Sequence, residues 1–278
     1  GKVEYIHGGV SRNVVEDIAN MELRPTFLSI VDESALGDAV VRKLNNHKVN
    51  TEYIQSAPNG MGTWLAVFDN NGDLAGSISQ RPDLMPLLDV LAKKGDEIFA
   101  NADSIIIEVD VDKEIVKKVV ELCEKHQKKL YGVVSNMSIA VERRDFLQKF
   151  DCFICNQLEA GMFFADDFSE TAPKELAEIL AKKLQLAKIP SMVVTMGGAG
   201  SVYADMKGKK GFCPAKKVQV KDTTGAGDAF CAGVSSGLTY GKTLAESVEI
   251  GTRLAASVIT SSENVCPRFL PGELGIEA

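Results

Sequence analysis

The chain has 278 residues, 45% of them hydrophobic and 25% charged, which suits one α/β domain with a continuous core. Its 31 basic and 38 acidic residues leave a net charge of −7 and no Lys/Arg run, so no nucleic-acid partner is expected. No apolar run reaches the roughly 20 residues of a membrane span, the first residues lack the charged-then-apolar order of a secretory signal, and the scattered cysteines fit reduced cytoplasmic thiols.

In chain order, a glycine pair, Gly8-Gly9, precedes an amphipathic pattern over 12–21, with Ser11 as its candidate cap. An apolar run at 27–31 predicts a strand. Residues 51–80 then break the rhythm. Extended stretches at 63–69 and 74–78 flank Asn70-Asn71-Gly72-Asp73, whose Asn-Gly step predicts a hairpin turn. The hairpin reads either as a lid over the carboxyl end of a sheet or as an antiparallel edge extension. Trp64 accordingly either faces a ligand or packs the hairpin on the core. Near-continuous apolar runs at 104–109, 129–134, 152–155 and 192–195 predict strands covered on both faces. Helical patterns lie between them: 113–125 groups Ile115, Val119 and Leu122, and 172–183 groups Leu176, Ile179 and Leu180. Cys152 and Cys155 form a C-x-x-C without a second pair, which predicts core thiols rather than a zinc site. After a short extended run at 217–221, two helical patterns at 225–240 and 243–261 close the chain. Alternating strands and helices predict a single α/β domain with a mostly parallel sheet and helices on both sides.

The chemistry concentrates in Lys221-Asp222-Thr223-Thr224-Gly225-Ala226-Gly227-Asp228-Ala229-Phe230. A turn of Gly-Ala-Gly feeding a helix collects free backbone N–H groups at the positive end of the helix dipole, a setting for phosphate. Asp228, just inside that helix, is placed to take a proton from an attacking hydroxyl while the amides stabilise the transferred charge. Alone, an aspartate there would read as a helix-dipole residue.

This segment, from Asp222 through Gly225, Ala226, Gly227 and Asp228 to Phe230 and Gly233, resembles the C-terminal signature of the ribokinase (PfkB) family. The resemblance implies a ribokinase-like three-layer α/β/α sandwich with a small β-lid. It implies Gly225, Ala226 and Gly227 as the anion hole and Asp228 as the general base. Other stretches agree in order. His7-Gly8-Gly9-Val10-Ser11-Arg12-Asn13-Val14 is similar to the glycine-pair motif, with Gly8 and Gly9 below the lid and Asn13 on substrate hydroxyls. Asn156-Gln157-Leu158-Glu159 resembles the Asn-x-x-Glu motif, with Asn156 and Glu159 near Mg²⁺ and phosphates, often through water. Val194-Thr195-Met196-Gly197-Gly198-Ala199-Gly200 resembles the turn beside the nucleotide and implies Thr195, Gly197 and Gly200 as contacts, together with Thr224. Ser262-Glu263-Asn264-Val265 resembles the loop near adenine, through Asn264. Asp222 and Thr224 are then candidates for a monovalent cation such as K⁺. Members usually begin with a strand bearing a substrate-binding aspartate, and that strand is expected to precede residue 1. Many members also carry an acidic residue after the strand matching 129–134; here Ser135-Asn136 follows instead.

The stretch 62–73, and Gly8 to Asn13 with Arg12 before the Asn, are similar to pseudouridine kinases. This adds Arg12 and Thr63 to the substrate candidates and implies ATP-dependent phosphorylation of a 5′-hydroxyl. A sugar kinase acting on ribose, fructose or a sugar phosphate is the alternative, and a non-catalytic nucleotide or metabolite sensor is another. An NAD-dependent dehydrogenase is disfavoured, because Gly197 to Gly200 lacks both the spacing and the early position of a dinucleotide fingerprint. A lid strand can pair with a second subunit, so a homodimer through the lid is expected.

Overall fold

A computed structural model describes residues 5–68 and 74–277, so the turn at Asn70 to Asp73 lies outside the described residues. In chain order the elements are α1 (Val10–Asn20), β1 (Ser29–Val31), α2 (Ala35–Asn46), β2 (Ile54–Ser56), β3 (Thr63–Phe68), β4 (Leu74–Gln80), α3 (Leu87–Asn101), β5 (Ser104–Glu108), α4 (Lys113–His126) and β6 (Lys129–Val133). Two short helices follow, α5 (Met137–Ala140) and α6 (Arg144–Leu147), then β7 (Cys152–Asn156), α7 (Gln157–Phe164), α8 (Pro173–Ala187), β8 (Ser191–Thr195), β9 (Ser201–Asp205), β10 (Lys210–Cys213), α9 (Ala226–Thr239) and α10 (Leu244–Ile259).

The main sheet has six strands in the order β10-β9-β8-β7-β6-β5. Strands β5 to β8 run parallel, and β9 and β10 add an antiparallel tail. The apolar runs of the parallel strands follow from where alternate residues go. Leu130, Phe153, Cys155, Met192 and Val194 enter one core with α3, α4, α7 and α8. Tyr131, Val133, Cys152, Ile154 and Val193 enter another with α1, α9 and α10. With both faces covered, polar residues are confined to the ends of these strands, and a three-layer α/β/α sandwich results. Cys152 and Cys155 fall on opposite faces of β7, both buried, and burial raises the pKa of each thiol. They are core groups, as expected.

Three features differ from the sequence reading. The run at 27–31 does not join the main sheet: its strand β1 pairs in parallel with β2, which has no apolar signal of its own. The extended stretch at 217–221 forms no strand; Lys221 N–H instead donates to Ile259 O at 2.8 Å. Ser11 is not the cap of α1. Gly9 occupies that position with φ 101°, and Ser11 lies within the first turn.

The hairpin forms as a separate two-stranded antiparallel sheet, β3 with β4. Trp64 is 61% exposed, so it does not pack the hairpin onto the core. Leu65, Val67 and Ile78 are exposed beside it. The hairpin is tethered where β4 ends: Arg81 donates to the carbonyl of Asp110 at 2.9 Å and to its buried carboxylate at 3.1 Å. Asp110 also accepts the N–H and hydroxyl of Ser135, at 2.9 and 2.8 Å. An acid one strand away thus reaches the position where the sequence departs from the family pattern. Among the described residues no helix is long and apolar enough to cross a membrane.

Candidate active site

Two helices from opposite ends of the chain create the centre of the site. Helix α9 presents its N-terminus, and α1 lies against it. Gly225 is the N-cap of α9, with φ 80° and ψ −8°, in the left-handed region that side chains resist. A Cβ there would come 1.9 Å from the carbonyl oxygen of Asn264, so the loop at 264 presses directly on the turn. Ala226 N–H turns back to Thr223 O at 3.2 Å. Among the described residues the N–H groups of Gly225, Gly227 and Asp228 have no acceptor. The space above Gly227 is open: a Cβ on it would meet nothing within 4 Å. The turn therefore offers free donors at a positive helix end, which is what an anion requires.

Asp228, in the first turn of α9, is half-buried. Asn13 Nδ2 donates to its Oδ2 at 2.6 Å, and Oδ1 has no partner among the described residues. Burial raises its pKa to about 6; the Asn13 bond and the Arg12 charge oppose that rise, and the charge of Glu108 adds to it. A carboxylate titrating near neutrality, with one oxygen held and one open, is suited to accept a proton.

Arg12 and Asn13 are buried on α1. The Arg12 guanidinium is surrounded by protein acceptors. Its Nη1 binds Glu16 Oε2, its Nη2 binds Asn13 Oδ1 and His7 O (2.7 Å), and its Nε reaches Gly8 O at 3.1 Å. Asn264, also buried, donates to His7 O at 2.8 Å and to Asn13 Oδ1 at 3.3 Å. The residues assigned from sequence to substrate (Gly8, Gly9, Arg12, Asn13), to the hole (Gly225) and to nucleotide (Asn264) thus form one connected network around Asp228. Within it the Arg12 and Asn264 side chains face protein groups, and the Asn13 donor faces Asp228. Thr63, exposed at the start of β3 opposite Gln80, makes no hydrogen bond to this network among the described residues.

Sequence reasoning missed Glu108. It ends β5, accepts the Ser11 hydroxyl at 2.7 Å, and is close enough to raise the pKa of Asp228. Nothing local marks it; 97 residues separate it from Ser11, and only the fold joins them.

The remaining candidates sit at the carboxyl ends of β7 and β8. Asn156 and Glu159 cap α7 reciprocally: Asn156 Oδ1 accepts Glu159 N–H at 2.8 Å, and Glu159 Oε2 accepts Asn156 N–H at 2.7 Å. Their pairing has a local structural reason whether or not they meet a ligand. Glu159 is half-buried; burial raises its pKa, and the charge of Asp110 adds to this. Asn156, Thr195 and Gly197 line a cleft of about 940 Å³ walled by Met162 and Phe168, from which Asp228 is absent. Gly200 has a packing role, since a Cβ on it would come 2.2 Å from Cys213 O. Asp222 Oδ1 accepts the Thr224 N–H at 2.8 Å, and those Thr224 hydrogen bonds lower the Asp222 pKa. Both residues are exposed. Among the described residues no cluster of three or more His, Cys, Asp or Glu is arranged to hold a metal.

The profile of the pfkB family of carbohydrate kinases matches residues 1–266. The chain is 34% identical over 266 residues to a guanosine-inosine kinase of Exiguobacterium acetylicum, covering 95% of this chain and 87% of that protein. It is 26% identical over 250 residues to the pseudouridine kinase of Escherichia coli K12, covering 89% of this chain and 78% of that protein. In fold it is similar to Arabidopsis thaliana ribokinase complexed with ribose and ATP, with a TM-score of 0.81 at 20% identity, over 94% of this chain and 84% of the other.

Proposed function

The chain belongs to the pfkB family of carbohydrate kinases, phosphotransferases with a sugar or nucleoside hydroxyl as acceptor, and we propose that its own acceptor is the 5′-hydroxyl of a nucleoside, with ATP as donor and Asp228 as base. The observation that carries this reading is the Asp228 carboxylate, held at Oδ2 by Asn13 and open at Oδ1, beside unpartnered amides at a helix N-terminus. In this mechanism the acceptor hydroxyl gives its proton to Oδ1 as its oxygen attacks the γ-phosphorus. The bond from phosphorus to the bridging oxygen breaks, and ADP leaves with the electron pair. The N–H groups of Gly225, Gly227 and Asp228 receive the charge that develops on the transferring group. Glu108 and Ser11 face the acceptor side, while Thr195, Gly197 and the cleft beside Asn156 take the nucleotide.

The donor set fits Mg²⁺. Glu159 keeps Oε1 free of protein partners among the described residues, and a hard cation that retains its waters needs only one or two carboxylates. Asn156 and Glu159 would hold it, partly through water; when bound it neutralises phosphate charge. Asp222, kept ionised by the Thr224 bonds, is with Thr224 the place for a monovalent cation such as K⁺.

For the base of the nucleoside, the 34% identity with a guanosine-inosine kinase supports a purine first. The likeness of 62–73 and of Gly8 to Asn13 to pseudouridine kinases supports pseudouridine second. The test is ATP turnover with Mg²⁺ and K⁺ against guanosine, inosine, pseudouridine, uridine, adenosine, ribose, fructose and fructose phosphates, beside Asp228→Asn. Turnover of a nucleoside that collapses in the variant is the expected result. Preference for a free sugar would overturn the nucleoside assignment, and an active Asp228→Asn would overturn the base.

A further inference from the structure

Helix α1 carries a second set of charges on its inner face. Glu16, one turn beyond Arg12, is fully buried. Its Oε2 binds Arg12 Nη1, and its Oε1 lies 3.0 Å from Lys43 Nζ on α2 and 3.6 Å from Nε2 of His47, the C-cap of α2. A carboxylate leaves water only where a partner offsets the loss. Glu16 has that partner in Arg12, and among the described residues it is the one acidic side chain that Arg12 bonds.

The consequence appears at the next residue. Asn13 Oδ1 receives two donors, Arg12 Nη2 and Asn264 Nδ2. Two donors on one end of an amide decide which end is which, so Nδ2 must face Asp228 Oδ2. The reversed amide would place oxygen against the carboxylate. Carboxylate, guanidinium, amide and carboxylate thus form a continuous line from the side of α1 that meets α2 to the centre of the site.

We propose that Glu16 is a positioning residue for the phosphoryl transfer: it fixes the Arg12 guanidinium, and through it the Asn13 amide that orients Asp228. This role depends on Asp228 being the base. Asp228 is faced by Glu108 from β5 and by Arg12 and Asp17 from α1, with Cys231 beside it on α9; Glu16 is faced by Lys43 from α2, by His47 at its C-cap and by Asp17 from its own helix. Arg12 is the only cation in the first of these sets. Its loss leaves the burial and the Glu108 charge opposed only by the Asn13 bond, so Asp228 holds its proton to higher pH.

Three variants of the full chain test the idea: Glu16→Gln, Arg12→Met and the double variant, each read by kcat, ATP KM, Tm and the pH profile of kcat/KM. Each single change is expected to lower kcat by up to about 10²-fold with ATP KM unchanged, as for a displaced catalytic group. The double variant buries no unpaired charge, so it recovers the Tm. It keeps the loss in kcat, adds no further loss to Arg12→Met, and moves the acid limb to higher pH. A double variant with native kcat and acid limb would show a purely structural ion pair and overturn the proposal. So would losses that multiply, since Glu16 would then act without Arg12. Asp228→Asn runs alongside: if it stays active the base assignment fails, and if it collapses while Glu16→Gln is fully active only the positioning role fails.

Discussion

Replacing Gly225 by alanine separates the geometry of the turn from its chemistry. Two costs add. The left-handed φ of 80° disfavours a Cβ by about 1–2 kcal/mol. That Cβ would also lie 1.9 Å from Asn264 O, 2.7 Å from its carbonyl carbon and 3.0 Å from its Cα, all backbone atoms that no rotamer change can move. Overpacking of this kind costs about 1–3 kcal/mol, for a total of about 2–5 kcal/mol. In a chain of this size that lowers Tm by about 3–9 °C. Relief by shifting the turn also moves the amides of Gly227 and Asp228, so kcat should fall about 10²–10³-fold. Gly227→Ala is the control. Its Cβ meets nothing within 4 Å and its φ is not positive, so Tm should stay put or rise slightly. Its methyl group would nonetheless enter the space where the phosphoryl group is received, and kcat should fall. Differential scanning fluorimetry and ATP turnover measure both. A Gly225→Ala protein with native Tm would refute the steric reasoning, and a Gly227→Ala protein with native kcat would show that no anion sits on this turn.

Further outcomes follow from the charges and caps. Because Asp228 must be deprotonated to act and burial raises its pKa to about 6, kcat/KM should decline as pH falls below that value. Asp228→Asn should lower kcat about 10²–10⁴-fold without that limb; a flat wild-type profile between about pH 5 and 7 would count against it. Burial raises the pKa of Asp17 to about 8, and its Oδ1 accepts the Cys266 N–H at 2.6 Å. A raised folded-state value gives stability that is whole below the unfolded pKa and lost as pH rises towards the folded one, by at most about 1.4 kcal/mol per unit. Asp17→Asn should flatten that slope between about pH 4 and 8, and denaturant melts with parallel pH dependence would argue otherwise. Asn156→Ala removes the cap of α7 and should cost about 0.5–2 kcal/mol in urea unfolding. Glu159→Gln, with the cap oxygen kept, should chiefly raise the Mg²⁺ concentration needed for half-maximal turnover, and an unchanged Mg²⁺ titration would remove Glu159 from the metal's surroundings.

The parallel core was readable because its strands answer to two helix layers at once, which leaves an unbroken apolar run for each. Strands β9 and β10 were not, since Ser201–Asp205 and Lys210–Cys213 are partly polar, and β10 stands at the sheet's edge. Strand β1 was visible as an apolar run, but nothing in that run said that its partner would be Ile54–Ser56 rather than the main sheet. In the site, Asp228 and the Gly-Ala-Gly turn were legible because the turn, the helix start and the acid are contiguous. The network around them was not. Arg12 was legible in sequence only as a substrate candidate, and only its neighbours show that Glu16, His7 O and Gly8 O enclose it. Glu108 and Asp110 carried no motif, because each acquires its partners across strands. The Asn156 and Glu159 spacing was legible as a family motif, and in the structure the same pair closes a capping box.

In solution the two oxygens of a carboxylate are interchangeable. At Asp228 they are not, because the bond from Asn13 breaks the symmetry of the group before any ligand arrives. Only one edge of the carboxylate remains to be met, and α9 fixes which way that edge points. On the assignment proposed above, a polyol in this site presents its hydroxyls to a chiral, one-sided acceptor. Choice among chemically similar hydroxyls is then a matter of handedness and approach direction, set by a single amide on the neighbouring helix, rather than of acidity.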